Sequence, residues 1–358
     1  MNLALCAVGV VTALFGSALS ASASIESGFT FSGGVYHDIN PPGSAGTAIL
    51  GINDQGEVAG QFQVGSTSEG FVEQGGIYNT ASFPGSALTV VEAVNDSGVV
   101  TGNYLTSAPG ATTFYGFVES AGVYHTISPP APSNTSTFVS GINQSGQVVG
   151  SFDDATGGSA FIYTNGAYNT LNVPGATYTS ANAINDAGVV VGQWSLDGPN
   201  PNDSFTYRDG VYTIVNRPGA DYTSATSIND RGDIAGTFFS GSNATGFIEI
   251  DGIYTDMSVP GAYATYVNSL NEADSVTGYY FSSTGEGAFV ETGGVYTMIT
   301  PPGLGSGIIA TSINDSGVVA GYFDFVPEPA AWALMLTGLG SLGLAMRSRR
   351  RQAARTLT

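Results

Sequence analysis

The chain has 358 residues and a formal net charge of −20, with 28 acidic side chains, 8 arginines, no lysine and two histidines. Apart from Glu328 and the last dozen residues, where five of the arginines sit, it carries twenty-seven acids and only Arg208, Arg217 and Arg231. Such a surface repels nucleic-acid phosphates and anionic lipid headgroups, which excludes both as partners, and its default meaning is solubility.

Residues 3–19 are apolar and uncharged, and Ala21-Ser22-Ala23 has the small-x-small form of a signal-peptidase site, so 1–23 reads as a signal peptide. No Lys or Arg precedes the apolar run, which leaves room for a start codon upstream. The only cysteine, Cys6, lies in this leader, so the mature chain has neither disulfide nor thiol chemistry.

From Gly28 to Phe323 one pattern of roughly forty-three residues is written seven times, at about 28–62, 70–104, 116–152, 160–194, 204–238, 246–280 and 288–323. The Phe residues 29, 71, 117, 161, 205, 247 and 289 are each followed seven positions on by Tyr (36, 78, 124, 168, 212, 254, 296), then by Pro-Gly or Pro-Pro. The Asn residues 53, 95, 143, 185, 229, 271 and 314 are each followed nine positions on by an aromatic, and open an Asn-Asp-x-Gly stretch except in copy three, which has Gln144, and copy six, which reads Asn271-Glu272-Ala273-Asp274. These two spans never change length, whereas the two that join them do.

Short apolar runs bounded by Gly, Pro, Asn and Asp predict four strands per copy. In the second copy, strand A holds Phe71–Glu73, B Ile77-Tyr78, C Val90–Val94 and D Val99–Tyr104. Gly75-Gly76 and Asn95-Asp96-Ser97-Gly98 are hairpin turns, and tight turns explain the fixed spans. Four antiparallel strands repeated seven times predict an all-β fold over 24–325, a seven-bladed β-propeller of four-stranded blades, with a β-solenoid as the alternative.

After the repeats, Val326-Pro327-Glu328-Pro329 precedes an apolar run, 330–346, expected to form a hydrophobic helix, and then the basic cluster Arg347, Arg349, Arg350 and Arg351. A helix of that length spans ~25 Å, short for a membrane crossing, and the arginines hold it on the cytoplasmic side. The three parts in this order, within 326–351 and followed by a short tail at 352–358, resemble the PEP-CTERM sorting signal. That resemblance implies an exosortase as processing partner, Pro327, Glu328 and Pro329 as recognition residues, transient or C-terminal membrane association, and release at the surface of a Gram-negative cell. The repeats are similar to the extracellular HAF repeat family, on stretches such as AINDAGVVVG at 183–192. This implies export and repeat architecture without naming a ligand.

Catalytic chemistry finds no motif. His37 and His125 stand where other copies place Asn or Thr, and no zinc cluster, Gly-x-Ser-x-Gly elbow or phosphate-binding loop is present. Carboxylates from different blades could still meet at the ring mouth and hydrolyse a glycoside. Neither cofactor nor metal is expected. The Asn-Asp pairs serve turns, and the acidic loops with Asp153-Asp154, and with Asp197 and Asp203, are the better candidates for a weak Ca2+ site. The repeated aromatics keep a fixed phase and read as core, whereas Tyr178, Tyr222, Tyr263 and Tyr266 fall in variable segments and suit contact with a sugar face. Because strands alternate in direction, the variable B–C and D–A connections share one face, which makes Tyr178, Tyr222, Asp154 and Asp203 the candidate ligand residues. The chain reads as a non-catalytic surface or matrix binding protein with an extracellular polysaccharide as partner. An extracellular polysaccharide hydrolase and a passive surface protein are the alternatives.

Overall fold

The computed structural model describes residues 25–325, except 109, 111, 131–134, 155–156, 197–202 and 302–304. The signal peptide, the apolar segment 330–346 and the basic tail therefore lie outside the described residues. Within them every regular element is a strand, β1 to β28, and no helix is long and apolar enough to cross a membrane.

The expected unit is present with its phase displaced. Strands β3 (Thr47–Ile52), β4 (Val58–Val64), β5 (Thr67–Gln74) and β6 (Ile77–Thr80) form one antiparallel meander. The first two come from the C and D segments of the first copy and the last two from the A and B segments of the second. Each sequence copy is thus shared between two meanders. The offset leaves A and B of the first copy unpaired at one chain end and C and D of the seventh at the other. They complete one another: β1 (Ile25–Ser32) pairs with β28 (Val319–Phe325), giving the order β2 (Val35–Ile39), β1, β28, β27 (Gly305–Ile313). Pairing of the first strand with the last closes the fold on itself, as a propeller does and a solenoid does not.

Seven separate sheets were expected, and hydrogen bonding gives four: the closing four-stranded sheet and three of eight strands. Each eight-stranded sheet is two meanders joined by a single parallel bridge, Ser68↔Leu88, Gly158↔Tyr178 or Ala244↔Ala264. At these junctions the start of a third strand approaches the start of the next meander's first strand closely enough for one bridge, which length patterns do not encode.

Local chemistry follows the turn residues. Gly75 and Gly76 both take positive φ (61° and 87°), as a two-residue hairpin turn requires. In the Asn turns the side-chain Oδ1 of Asn53 accepts from the N–H groups of Gln55 and Glu57 at 3.1 and 2.8 Å. The same Asn also ties the ring together. Its Nδ2 donates to the carbonyl of Asn95 at 2.9 Å. The bond recurs from Asn95 to Asn143, then to Asn185, Asn229, Asn271, Asn314 and back to Asn53, at 2.9–3.5 Å. A second closed circuit runs beside it. The N–H of Asp54 donates to Asp96, Asp96 to Gln144, Gln144 to Asp186, Asp186 to Asp230, Asp230 to Glu272, Glu272 to Asp315 and Asp315 to Asp54, at 2.5–2.9 Å.

The core is built from the repeated aromatics. All seven Phe are fully buried. Each lies against the Tyr seven positions on, with ring centroids 4.9–6.3 Å apart. Such pairs add ~0.5–1.5 kcal/mol each beyond the area they bury. Clusters such as Phe71 with Ile49, Val58 and Phe62 fill the space around them.

Candidate ligand-binding face

Two opposed faces result from the alternating strands. One carries the invariant hairpins and the two Asn-turn circuits. The other carries the connections of variable length, together with Ile25 and Phe325, which are register partners in β1 and β28.

All four candidate residues start or end strands on the variable face, but they engage different partners. Tyr178 opens β15 (Tyr178–Ile184), and its ring lies where a Cβ on Gly158 would come within 2.6 Å. Burial raises its hydroxyl pKa, partly offset by a hydrogen bond with Ser151. Asp154 ends β12 (Val148–Asp154) opposite Gly157 in β13 (Gly157–Thr164). Its side chain lies outside the described part, as does Asp197. Asp203 opens β17 (Asp203–Arg208) and accepts from Asn216 Nδ2 at 2.6 Å; burial raises its carboxyl above the usual range. Tyr222 opens β19 (Tyr222–Ile228) and stacks on Phe239 at 4.3 Å and 12°.

Around Tyr222 the structure assembles a larger group. Phe239 of β20 (Ile234–Ser240) lies 6.2 Å from Tyr266 of β23 (Ala262–Leu270). Tyr266 stacks on Tyr279 of β24 (Val276–Ser282) at 4.8 Å and 6°. Phe281 stands edge-on to Tyr266 and Tyr279 at 6.0 and 5.8 Å, and Tyr263 stacks on Phe281 at 6.4 Å. Tyr222, Tyr263 and Tyr266 were legible as variable-segment tyrosines. Phe239, Tyr279 and Phe281 were missed, although Phe238-Phe239 and Tyr280-Phe281 show that a second aromatic follows the repeated one in strand D in copies five and six only, and Tyr279 precedes it as Tyr322 does in copy seven.

Carboxyl groups gather at the closing meander. Glu26 in β1 stands opposite Asp324 in β28. Burial, reinforced by Asp324, pushes Glu26 up to about 7. Asp324 is raised by burial and then by Glu286, whose Oε1 accepts from the Gly307 N–H at 2.5 Å. Burial raises the nearby Tyr322 hydroxyl, reinforced by Glu26, Asp324 and Glu92. Glu92 occupies the bulge of β7 (Ser86–Val94) and is pushed up to about 7 by burial against a hydrogen bond from Asn103 at 2.9 Å. Of these acids, Glu92 is unrepeated, its position being filled by Leu50, Ser140, Asn182, Thr226, Asn268 and Thr311 elsewhere, whereas Glu26 shares its place in the repeat with Glu286 and Asp324 with Asp153. Held partly protonated near neutrality, Glu26 and Glu92 can donate as well as accept hydrogen bonds. No group of three metal-ligating side chains occurs among the described residues. The three arginines of the repeats are ion-paired: Arg217 with Asp256 at 2.6 Å, Arg231 with Asp233 and Asp274, and Arg208 more loosely with Asp209.

Residues 325–351 match the PEP-CTERM protein-sorting motif. No curated protein sequence matches the chain. Among solved structures, acylaminoacyl peptidase is similar at a TM-score of 0.50 and 10% identity, over 75% of this chain and 46% of that one. A putative TolB from Agrobacterium tumefaciens gives 0.47 and 8%, over 86% and 100%. The β-propeller domain of the trilobed protease from Pyrococcus furiosus gives 0.48 and 10%, over 78% and 92%. At such identities the likeness concerns the fold alone, which is all-β and propeller-like. The sorting motif marks the chain as an exported protein, sorted by an exosortase to the cell surface or beyond.

Proposed function

We propose that the chain is a displayed or released binding module, a seven-bladed ring of HAF-type repeats whose variable face meets an extracellular polysaccharide. Each four-stranded meander is one blade in this reading. Exosortase processing at Pro327, Glu328 and Pro329, with Arg347, Arg349, Arg350 and Arg351 as the cytoplasmic stop, frees the ring from the membrane. The observation that carries the binding role is the concentration, on the one face where connection length varies, of aromatic and carboxyl side chains that only one or two copies carry, while residues common to all copies are spent on packing and closure.

A polysaccharide hydrolase is the second reading, favoured by Glu26, Asp324 and Glu92 around Tyr322. One experiment separates the two: a glycan screen of the full chain run beside a reducing-end assay on the same glycans. Retention without new reducing ends supports the module, whereas turnover abolished by Glu26→Gln supports the hydrolase. Absence of both overturns the binding role and favours a passive surface protein.

A further inference from the structure

We infer that Tyr222, Phe239, Tyr266, Tyr279, Phe281 and Tyr263 form the binding platform of the variable face, and that its ligand is an uncharged polysaccharide chain. The inference rests on the glycan-binding reading and names the site and ligand class within it.

The repeat itself provides the control that separates packing from function. Tyr266 and Tyr279 are register partners. The same pair is Ser224↔Thr237 in the preceding meander and Ser180↔Gln193 in the one before. A propeller of this sequence therefore packs without aromatic rings at those positions. Core aromatics occur in all seven copies, whereas these occur where only one or two copies carry them.

Their arrangement suits a sugar chain. The contacts join two successive meanders into one stretch of rings, with centroid separations of 4.3–6.4 Å from Tyr222 to Tyr263. Five of the six are half-buried, and Tyr263 is 65% exposed. The apolar C–H face of a pyranose carries slight positive charge and stacks on the negative face of an aromatic ring, while phenol hydroxyls exchange hydrogen bonds with sugar hydroxyls. Exposed aliphatic side chains such as Ile77 and Ile253 sit instead at hairpins on the opposite face, so the stripe is aromatic rather than generally greasy. Charge selects among glycans. Asp221 and Glu286 border this face, and the three arginines of the repeats are all engaged by carboxylates, so nothing there compensates a polyanion.

Affinity electrophoresis of the full chain through gels containing laminarin, dextran or xyloglucan, against alginate, tests this. Two variants keep folding out of the comparison. Tyr263→Ala removes an exposed ring, and the double change Tyr266→Ser with Tyr279→Thr installs the pair that copy five already tolerates. The expected result is retardation by at least one neutral glycan, none by alginate, and about a tenfold loss of affinity in the double variant. Neutral-glycan binding unchanged in both variants overturns the platform and leaves the glycan-binding reading standing. Binding to alginate alone overturns the uncharged ligand, and binding to none of the four overturns the inference, with a wider glycan screen then deciding the broader reading.

Discussion

Asn185 shows how much one repeated side chain carries. Its Oδ1 accepts from the Val189 N–H at 2.8 Å within its own turn, and its Nδ2 donates to the Asn229 carbonyl at 2.9 Å in the next meander. The second bond is buried and the first partly so, and Asn185→Ala leaves their partners unsatisfied. The expected loss is about 2–4 kcal/mol, at ~1–3 kcal/mol per buried group left unpaired, read from urea unfolding. The turn half of this role was legible, because an Asn followed by Asp-x-Gly has a known local use. The half that crosses to the next copy was not, because no spacing within a repeat says that a side chain reaches the neighbouring carbonyl. The same limit hid the platform. Tyr222 and Tyr266 were visible as tyrosines of the variable segments, but their meeting through Phe239 depends on how two meanders pack.

Strand D illustrates the matching point for elements. Its Gly, read only as part of a recurring phrase, is compelled by a backbone contact. A Cβ on Gly192 of β16 (Val190–Ser195) would stand 2.1 Å from the Ser180 carbonyl oxygen and 2.9 Å from the Phe205 ring. The crowding accompanies a bulge in β15 between Ala181 and Ala183, next to the Ala181↔Gly192 register pair. Gly192→Ala must therefore open the β15–β16 pairing or displace a fully buried Phe, at about 3 kcal/mol or more. A thermal unfolding midpoint within a degree or two of the parent's would refute this. Strand number and hairpin positions were written in the sequence because turn residues fix them. The half-repeat offset was not, because a circular pattern has no natural starting strand, and only the pairing of β1 with β28 chooses one.

At the scale of the whole molecule, closure depends on two strands from opposite chain ends, and their facing acids make it sensitive to pH. Glu26 and Asp324 are register partners, and both carboxyls lie above their ordinary values because burial disfavours the charged form. A carboxyl raised to about 7 in the folded ring, against an ordinary 4.5, binds more protons folded than unfolded between those values. Stability then falls as pH rises: the contribution is fully present below the unfolded pKa and is lost as pH climbs through the folded one. Glu92, also at about 7, adds to the slope with the same sign. General repulsion in so acidic a chain acts in the same direction, so the parent's pH dependence alone does not isolate the latch. Glu26→Gln does, since an amide keeps the shape and does not titrate. Urea midpoints of the parent are expected to drop between pH 5 and pH 7.5, with faster amide exchange in β1 and β28 at the higher pH. In Glu26→Gln the drop should be smaller and the exchange in those strands nearly level. Equal slopes in the two proteins would mean that the facing pair does not control closure.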